Sequence, residues 1–258
     1  MTTVLKLGGE LLDDASAVRA AAAAIVRLAS RGPLVVVPGG GRAIDAELRT
    51  RGLTPRFADG LRVTDESTLD SVVSVLAGQA NTALVAAIGA AGGRAVGLTG
   101  ADAQIGLAVK TGPLATINGE RVDLGLVGEP AGGDVALVRD LLRSSYIPVV
   151  ASIGVTSDGT LLNINADTFA AHLAASLHAR RLIVAGTTPG VLDNGGDTIP
   201  ELSQTDVEQL TASGTAHSGM VAKLTACRQA LARGVTEVLI VAGRGVEDFD
   251  MAAGTKVC

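Results

Sequence analysis

Lysine is rare in this chain, and two lysines stand where they could neutralise an anion. Only four of the 21 basic residues are lysine. Lys6 lies inside an apolar strand pattern, directly before the Gly8-Gly9 turn, where an unpaired ammonium would be costly to bury. Lys223 falls in the first turn of a predicted helix. A phosphoryl group would satisfy both lysines, whereas the alternative is that each extends its ammonium group into solvent.

Glycines follow the predicted strands at successive places along the chain. The glycine-rich loops cover residues 8–9, 39–41, 97–100 and 186–190. Without a Cβ, a glycine N–H can approach an anion closely, and two such loops that enter helix N-termini would form a phosphate cradle. The alternative for any one loop is ordinary turn chemistry. Their recurrence at the strand ends favours a phosphate site.

The common phosphate-binding signatures are absent from the sequence. There is no GxxxxGK[ST] loop, residues 39–42 do not make a GxGxxG dinucleotide fingerprint, and the HRD and DFG motifs of protein kinases are missing. The missing fingerprint excludes a Rossmann dehydrogenase. Phosphate binding would therefore use another arrangement.

Two polar segments are candidates for binding the remainder of a substrate. Asn163 and Asn165 alternate with an isoleucine, so both amides face one side of an extended segment. Asp167, which follows them, is either a helix cap or part of the site. Arg62 stands in the short loop GLRVT, where it would suit bidentate binding of a carboxylate, although a solvated surface arginine is the alternative.

Apolar strands that alternate with Ala- and Leu-rich helices must position these residues. Strands this apolar are covered on both faces, which predicts a central, mostly parallel sheet with helices on either side. The predicted strands cover residues 4–7, 34–37, 95–98, 148–153, 182–185 and 237–241, and helices end at 30 or begin near 43, 67, 135, 167, 206 and 220.

Two segments interrupt this alternation. Between Asp102 and Pro130, the short runs 108–110 and 121–124 flank the turn-prone Asn118-Gly119, which predicts a β-hairpin insertion. A second polar insert covers residues 194–197.

The composition points to small-molecule partners. The net charge is −5, only 2% of the residues are aromatic and no basic cluster is present, which argues against a nucleic-acid surface. No secretory signal or membrane span is visible. Cys227 and Cys258 make neither a metal-ligand spacing nor a disulfide framework, which indicates a reducing cytoplasm.

Taken together, five motifs resemble the amino acid kinase family. They are KLGG at 6–9, PGGG at 38–41, GLRVT at 60–64, NINAD at 163–167 and GMVAK at 219–223, in the family's order and spacing. The resemblance implies a three-layer αβα sandwich with a central, mostly parallel sheet. It also implies one kinase domain, 1–258, with an acyl amino acid lobe at 1–179 and a nucleotide lobe at 180–258.

Within the family, the GLRVT and NINAD forms are similar to those of members that phosphorylate the side-chain carboxylate of N-acetyl-L-glutamate. The resemblance implies ATP as donor, with Mg²⁺ held mainly by the ATP phosphates and no metal ligand from the protein. It assigns the catalytic roles to Lys6, Lys223 and Asp167, with Asp167 holding both lysines in place. It assigns the substrate-binding roles to Gly40, Gly41, Arg62 and Asn163, and the nucleotide-binding roles to Gly8, Gly9, Thr187, Gly190, His217 and Gly219.

The chain departs from the family pattern at two places. Pro38 stands where the family usually has histidine, and Gly186-Thr187-Thr188 replaces the usual Thr-Asp-Val. Arginine-inhibited members carry an extra N-terminal helix, whereas the first strand here begins at Val4, so the resemblance implies an arginine-insensitive homodimer. The alternatives are a kinase for a longer N-acyl amino acid, such as N-acetyl-aminoadipate, and a non-catalytic sensor with the same fold. Carbamate kinase and aspartate kinase are disfavoured by their larger insertions and regulatory domains.

Overall fold

The computed structural model describes residues 1–116, 119–193, 195–212 and 218–258. The strands, numbered β1 to β16 in chain order, are Thr3–Leu7, Leu34–Pro38, Phe57–Ala58, Leu61–Arg62, Ala95–Thr99, Ala108–Lys110, Leu114–Ala115, Arg121–Val122, Gly128–Pro130, Ile147–Ala151, Ile153–Val155, Leu161–Asn163, Arg181–Gly186, Glu201–Leu202, Glu237–Ala242 and Gly254–Val257. The helices, α1 to α8, are Ala15–Ala29, Gly41–Thr50, Glu66–Val73, Asn81–Ala90, Ala136–Arg143, Ala166–Ser176, Gln204–Ala212 and Ser218–Ala232.

Eight strands form one central sheet in the order β14-β16-β15-β13-β1-β2-β10-β5. The six strands from β15 to β5 run parallel to one another, whereas β16 pairs antiparallel with β15 and carries β14 parallel to itself. The predicted α/β fold with a mostly parallel sheet is confirmed. Strand β1 lies between β2 and β13, so the chain leaves β1 at the middle of the carboxyl edge, where open α/β sheets bind ligands.

Side chains of β1 alternate between two cores, one on each face of the sheet. Leu5 and Leu7 belong to a core with apolar residues of α1 and α4. Val4 belongs to a core on the opposite face with apolar residues of α6 and α8. Lys6 alternates with Leu5 and Leu7, so it points to the same face as Val4, towards α6 and α8.

The predicted single strand over 148–153 is wrong in its last residues. Strand β10 ends at Ala151, and Ile153 already begins β11, which pairs antiparallel with β12. At the break, the carbonyl of Ser152 accepts a hydrogen bond from the N–H of Ile164, 3.1 Å away. The chain turns out of the sheet here because it bonds to the segment before α6. The apolar pattern continues across this turn and therefore concealed it.

The insertion between residues 102 and 130 is confirmed, with a correction to its pairing. Strands β7 and β8 form an antiparallel hairpin, and Asn118, which the sequence predicts to be in a turn, lies outside the described residues. Residues 108–110 pair instead with β9. In the second insert, Asn194 also lies outside the described residues, and the Asp193 carboxylate accepts hydrogen bonds from the N–H groups of Gly195 and Asp197.

The helix predicted to begin near residue 67 is present and is long and apolar, but it is not α-helical throughout. Helices α3 and α4 are joined without a break by a π-helical segment, Ser74–Ala80. By length and composition alone the resulting Glu66–Ala90 helix could cross a membrane. It packs against α1 and the sheet through Leu84 and Ile88. The expected absence of a membrane-spanning segment stays a prediction.

Replacing Phe169 with alanine is expected to lower the free energy of unfolding by about 3–5 kcal/mol, because it empties a fully buried site. The Phe169 ring leaves no room for a side chain at Gly106, since an added Cβ would come within 2.6 Å of Cε2. Urea denaturation measures the loss. As a control, Phe57→Ala should cost at most about 1 kcal/mol, because Phe57 is 52% exposed and loses mainly a contact with an arginine. Equal losses for the two variants would contradict this description of the core.

Candidate active site

A buried ion pair joins the centre of the sheet to α6. Lys6 Nζ lies 2.9 Å from Asp167 Oδ1, and the two side chains are 7% and 8% exposed. Asp167 does not cap the helix, as one sequence alternative had it. Asn165 is the cap, and its Oδ1 accepts hydrogen bonds from the N–H groups of Asp167 and Thr168. The Asp167 carboxylate is therefore available to hold the Lys6 ammonium, which points away from solvent.

Lys223 approaches the same region from α8. Its Cε lies within 4 Å of the position that a Cβ on Gly186 would occupy, at the carboxyl end of β13. Cys227, one turn further along α8, is fully buried. Burial and the Asp167 carboxylate raise the pKa of its thiol, whereas the Lys223 and Lys6 ammonium groups lower it. Lys223 forms no ion pair within the described part of the chain, so the expectation that Asp167 holds both lysines is wrong for Lys223 and holds for Lys6.

The glycine loops after β1 and β2 pack directly against each other. A Cβ added to Gly9 would lie only 2.9 Å from Gly40 N and 3.1 Å from Gly41 N, so the close approach requires glycine. Gly40 caps α2 and Gly41 is its first residue, and no side chain caps this helix end. Among the described residues, no backbone carbonyl outside their own helices accepts a hydrogen bond from the N–H group of Gly9, Gly40 or Gly41. These glycines form an N–H-rich surface of the kind that binds phosphate.

A cavity of about 240 Å³ opens over these glycines. The carboxyl ends of β1, β2 and β12 form its base, and the β3–β4 turn and the π-helical segment form its walls. The predicted residues that line it are Lys6, Gly9, Gly40, Gly41, Arg62, Asn163 and Asp167. Seven residues that are distant in the sequence thus share one cavity.

Arg62 is buried at the wall of the cavity, so the alternative of a solvated surface arginine is wrong. Its Nη2 lies 2.6 Å from Asp45 Oδ1 and donates to the carbonyl of Gly41 at 3.2 Å. The guanidinium stands over the Phe57 ring, with 4.7 Å from Cζ to the centroid. Its second terminal nitrogen, Nη1, is buried without a hydrogen-bond partner among the described residues. A buried, unpaired donor is costly, and a carboxylate ligand would satisfy it.

Asn163 is held by a chain of hydrogen bonds from the GLRVT loop. Its Nδ2 donates to Thr64 Oγ1 at 3.1 Å, and that hydroxyl donates to the carbonyl of Arg62 at 3.1 Å. Thr64 is fully buried, so the two substrate-binding candidates are linked inside the protein. Asn163 and Asn165 both line the cavity, as their spacing predicted, although the Asn165 side-chain oxygen is already used by the helix cap.

Other predicted nucleotide-binding residues lie outside the cavity lining. Thr187 follows β13 and Gly219 is in the first turn of α8, and both are exposed. Gly190 has a φ of 103° and packs so closely on β16 that an added Cβ would be 2.5 Å from Thr255 Oγ1. The fold therefore requires glycine at position 190, independently of any role in nucleotide binding. Gly8 is buried, and its N–H donates to the carbonyl of Ala185.

His217 lies outside the described residues, and its role stays a prediction.

Sequence reasoning missed several residues of the cavity. Phe57, Leu76 and Val127 supply apolar surface, Ser152 occupies the break between β10 and β11, and Glu10 brings a carboxylate beside the glycine loops. Glu10 directly follows the KLGG motif, and this position in the sequence is the signal that could have identified it as a residue of the site. The three apolar residues gave no local signal, because the same residue types also fill ordinary cores.

Comparisons with known proteins agree with this geometry. Residues 1–242 match the model of the Amino acid kinase family. The chain is 41% identical over 248 residues to an acetylglutamate kinase of Bradyrhizobium diazoefficiens, covering 94% of this chain and 84% of that relative. It is 43% identical over 246 residues to an acetylglutamate kinase of Methylobacterium nodulans, covering 93% and 81%.

Solved structures show the same architecture. A Neisseria gonorrhoeae N-acetylglutamate synthase, complexed with coenzyme A and N-acetyl-glutamate, superposes with a TM-score of 0.84 at 26% identity. This chain is covered completely but spans only 59% of the synthase. A Streptococcus mutans UA159 protein superposes with a TM-score of 0.82 at 25% identity, covering 99% of this chain and 98% of its own. With a family model matched over 242 residues and two kinases more than 40% identical over most of both chains, this chain belongs to the amino acid kinase family.

Proposed function

We propose that this protein transfers the γ-phosphoryl group of ATP to the side-chain carboxylate of N-acetyl-L-glutamate, an early step of arginine biosynthesis. The observation that carries the proposal is the buried Lys6–Asp167 pair beside the packed glycine loops, in a cavity that also holds the unpaired Arg62 donor. The names of the two kinases that are more than 40% identical support the same substrate.

The cavity has groups for each end of this acceptor. The buried Nη1 of Arg62 suits the α-carboxylate, because its free N–H would donate a charge-assisted hydrogen bond to a carboxylate oxygen. Asn163 lines the cavity and suits the acetamide end. The side-chain carboxylate then extends towards Lys6 and the glycine N–H groups. Gly40 and Gly41 would contact both the acceptor and the transferred phosphoryl group.

The two proposed lobes, 1–179 and 180–258, are supported by the origin of the lining residues. Every residue that lines the cavity lies between positions 6 and 167. Lys223 and Gly186 come from the second segment, on the other side of the Gly8-Gly9 turn. ATP would bind along that side, with Gly8, Gly9, Thr187, Gly190, His217 and Gly219 as its proposed contacts. Mg²⁺ bound to the ATP phosphates supplies charge neutralisation.

The reaction needs positioning and charge neutralisation rather than acid–base chemistry. A side-chain carboxylate is ionised at neutral pH, so its oxygen attacks the γ-phosphorus without losing a proton. A new O–P bond forms while the bond from the γ-phosphorus to the bridging oxygen breaks, and ADP leaves. The Lys6 and Lys223 ammonium groups stabilise the charge on the transferred group, and Asp167 holds Lys6 in place.

The proposal is tested by measuring ADP release from MgATP with N-acetyl-L-glutamate, N-acetyl-L-aminoadipate and L-glutamate in parallel. Turnover with N-acetyl-L-glutamate alone is the expected result. If the longer acceptor is preferred, the enzyme acts on a different N-acyl amino acid. If none of the three supports turnover, the chain is better described as a ligand sensor. The proposed homodimer and cytoplasmic location require separate measurements of mass in solution and of distribution in the cell.

Replacing Lys6 with arginine is expected to lower kcat by roughly a hundred- to a thousandfold, because it displaces a point charge that stabilises the transition state. Arginine can keep the ion pair with Asp167, so the fold should survive, as circular dichroism would show. Lys110→Arg is the matched control, because Lys110 is exposed on β6 and lies outside the cavity. Wild-type turnover by Lys6→Arg would remove Lys6 from the proposed mechanism.

Replacing Arg62 with lysine is expected to raise KM for the acyl amino acid by roughly ten- to a hundredfold, because one charge-assisted hydrogen bond is lost. The KM for ATP should stay unchanged. Arg56→Lys serves as the control, since Arg56 is largely exposed and pairs with Asp65. An equal rise of both KM values in Arg62→Lys would instead indicate a general structural defect.

A further inference from the structure

Glu10 carries a carboxylate into the region of the proposed phosphoryl transfer, and neither the fold nor the proposed mechanism uses it. It stands in a short 3-10 turn, Gly9–Leu11, at the carboxyl end of β1. Its side chain folds back over Gly8, where an added Cβ would meet Oε1 at 2.4 Å. Glycine at position 8 thus provides the space that the Glu10 carboxylate occupies.

The same carboxylate lies between the two proposed ligand regions. Glu10 lines the acceptor cavity together with Lys6 and Asp167. Its Oε1 is also 3.5 Å from the position of a Cβ on Gly186, and Lys223 Cε is 3.9 Å from that position. Glu10 and Lys223 therefore flank one point at the end of β13. In the proposed function, this point lies between the nucleotide side and the acceptor cavity.

The charges around this point leave Glu10 without a counter-ion. Asp167 is paired with Lys6 at 2.9 Å, whereas no residue in the described ranges forms an ion pair or hydrogen bond with the Glu10 side chain. An isolated carboxylate beside the triphosphate would repel it. A divalent cation between the carboxylate and the phosphates would convert this repulsion into attraction.

Magnesium chemistry matches this arrangement. Mg²⁺ is usually bound through one or two carboxylates and the substrate's phosphates, with water completing the octahedron. The described residues contain no group of three or more side chains that could hold a metal ion unaided. Such a site would take its metal together with the nucleotide, and Glu10 is the cavity carboxylate not already bound to a lysine.

We propose that Glu10 is a protein ligand, direct or through one water, of the Mg²⁺ that accompanies the nucleotide. This proposal depends on the proposed function, since it requires a nucleotide on the Gly186 and Lys223 side. It replaces the expectation that the protein supplies no ligand to the ion. It also gives Glu10 a positioning role, because the metal would hold the phosphates at a fixed place over the Gly8-Gly9 turn.

The test is calorimetric binding of ADP, once in EDTA and once in saturating MgCl₂, to the wild-type protein, Glu10→Gln and Glu129→Gln. Glu129 is the matched control, because it is an exposed carboxylate on β9 away from the cavity. In Glu10→Gln, the factor by which Mg²⁺ tightens ADP binding should fall at least about tenfold. Binding in EDTA should tighten or stay the same, because a repulsive charge has been removed. Glu129→Gln should behave as wild type.

Two outcomes would overturn the proposal. The first is an unchanged Mg²⁺ factor in Glu10→Gln; if ADP affinity then changes equally in EDTA and in MgCl₂, Glu10 is a counter-ion of Lys223 instead. The second is that the wild-type protein binds no ADP under either condition; the proposed function then fails first, and the assignment of Glu10 fails with it.

Discussion

The buried ion pair between Lys6 and Asp167 is the constraint on which the rest of the site depends. Removing an ammonium and a carboxylate from water costs several kcal/mol each, and the attraction between them offsets that cost only with good geometry. Here the geometry comes from elements far apart in the sequence, because Lys6 lies in the central strand and Asp167 in the first turn of α6. The pair therefore adds little net stability but fixes where both charges stand.

The surrounding architecture keeps that pair beside a surface for anions. Strand β1 lies in the middle of the sheet, between β2 and β13. The glycine turn at its carboxyl end therefore faces the glycine turn of β2 on one side and the end of β13 on the other. A Cβ added to Gly9 would lie about 3 Å from the backbone of Gly40 and Gly41, so a side chain is excluded there. The donors are thus positioned before a ligand arrives, so binding energy is not used to assemble them.

The sequence predicted the features that depend on local pattern. Periodicity and glycine spacing identified the parallel strands and the loops that follow them, and the burial of Lys6 followed from its place in an apolar strand. Features set by long-range contact were not predictable in this way. Which of Asn165 and Asp167 caps α6 depends on the position of Lys6, and the burial of Arg62 depends on Asp45 and Phe57 packing around it. Two-residue strands such as β3 and β14 are too short for any periodicity.

A double-mutant cycle shows whether Asp167 acts through Lys6. The measurement is the rate of acyl phosphate formation from MgATP and N-acetyl-L-glutamate, trapped as the hydroxamate, for Lys6→Ala, Asp167→Ala and the double variant, each confirmed to be folded. Residues that act as one unit are strongly non-additive. The double variant is expected to be no slower than the slower single variant. If the two losses multiply instead, Lys6 and Asp167 act independently, and Asp167 does not work through Lys6.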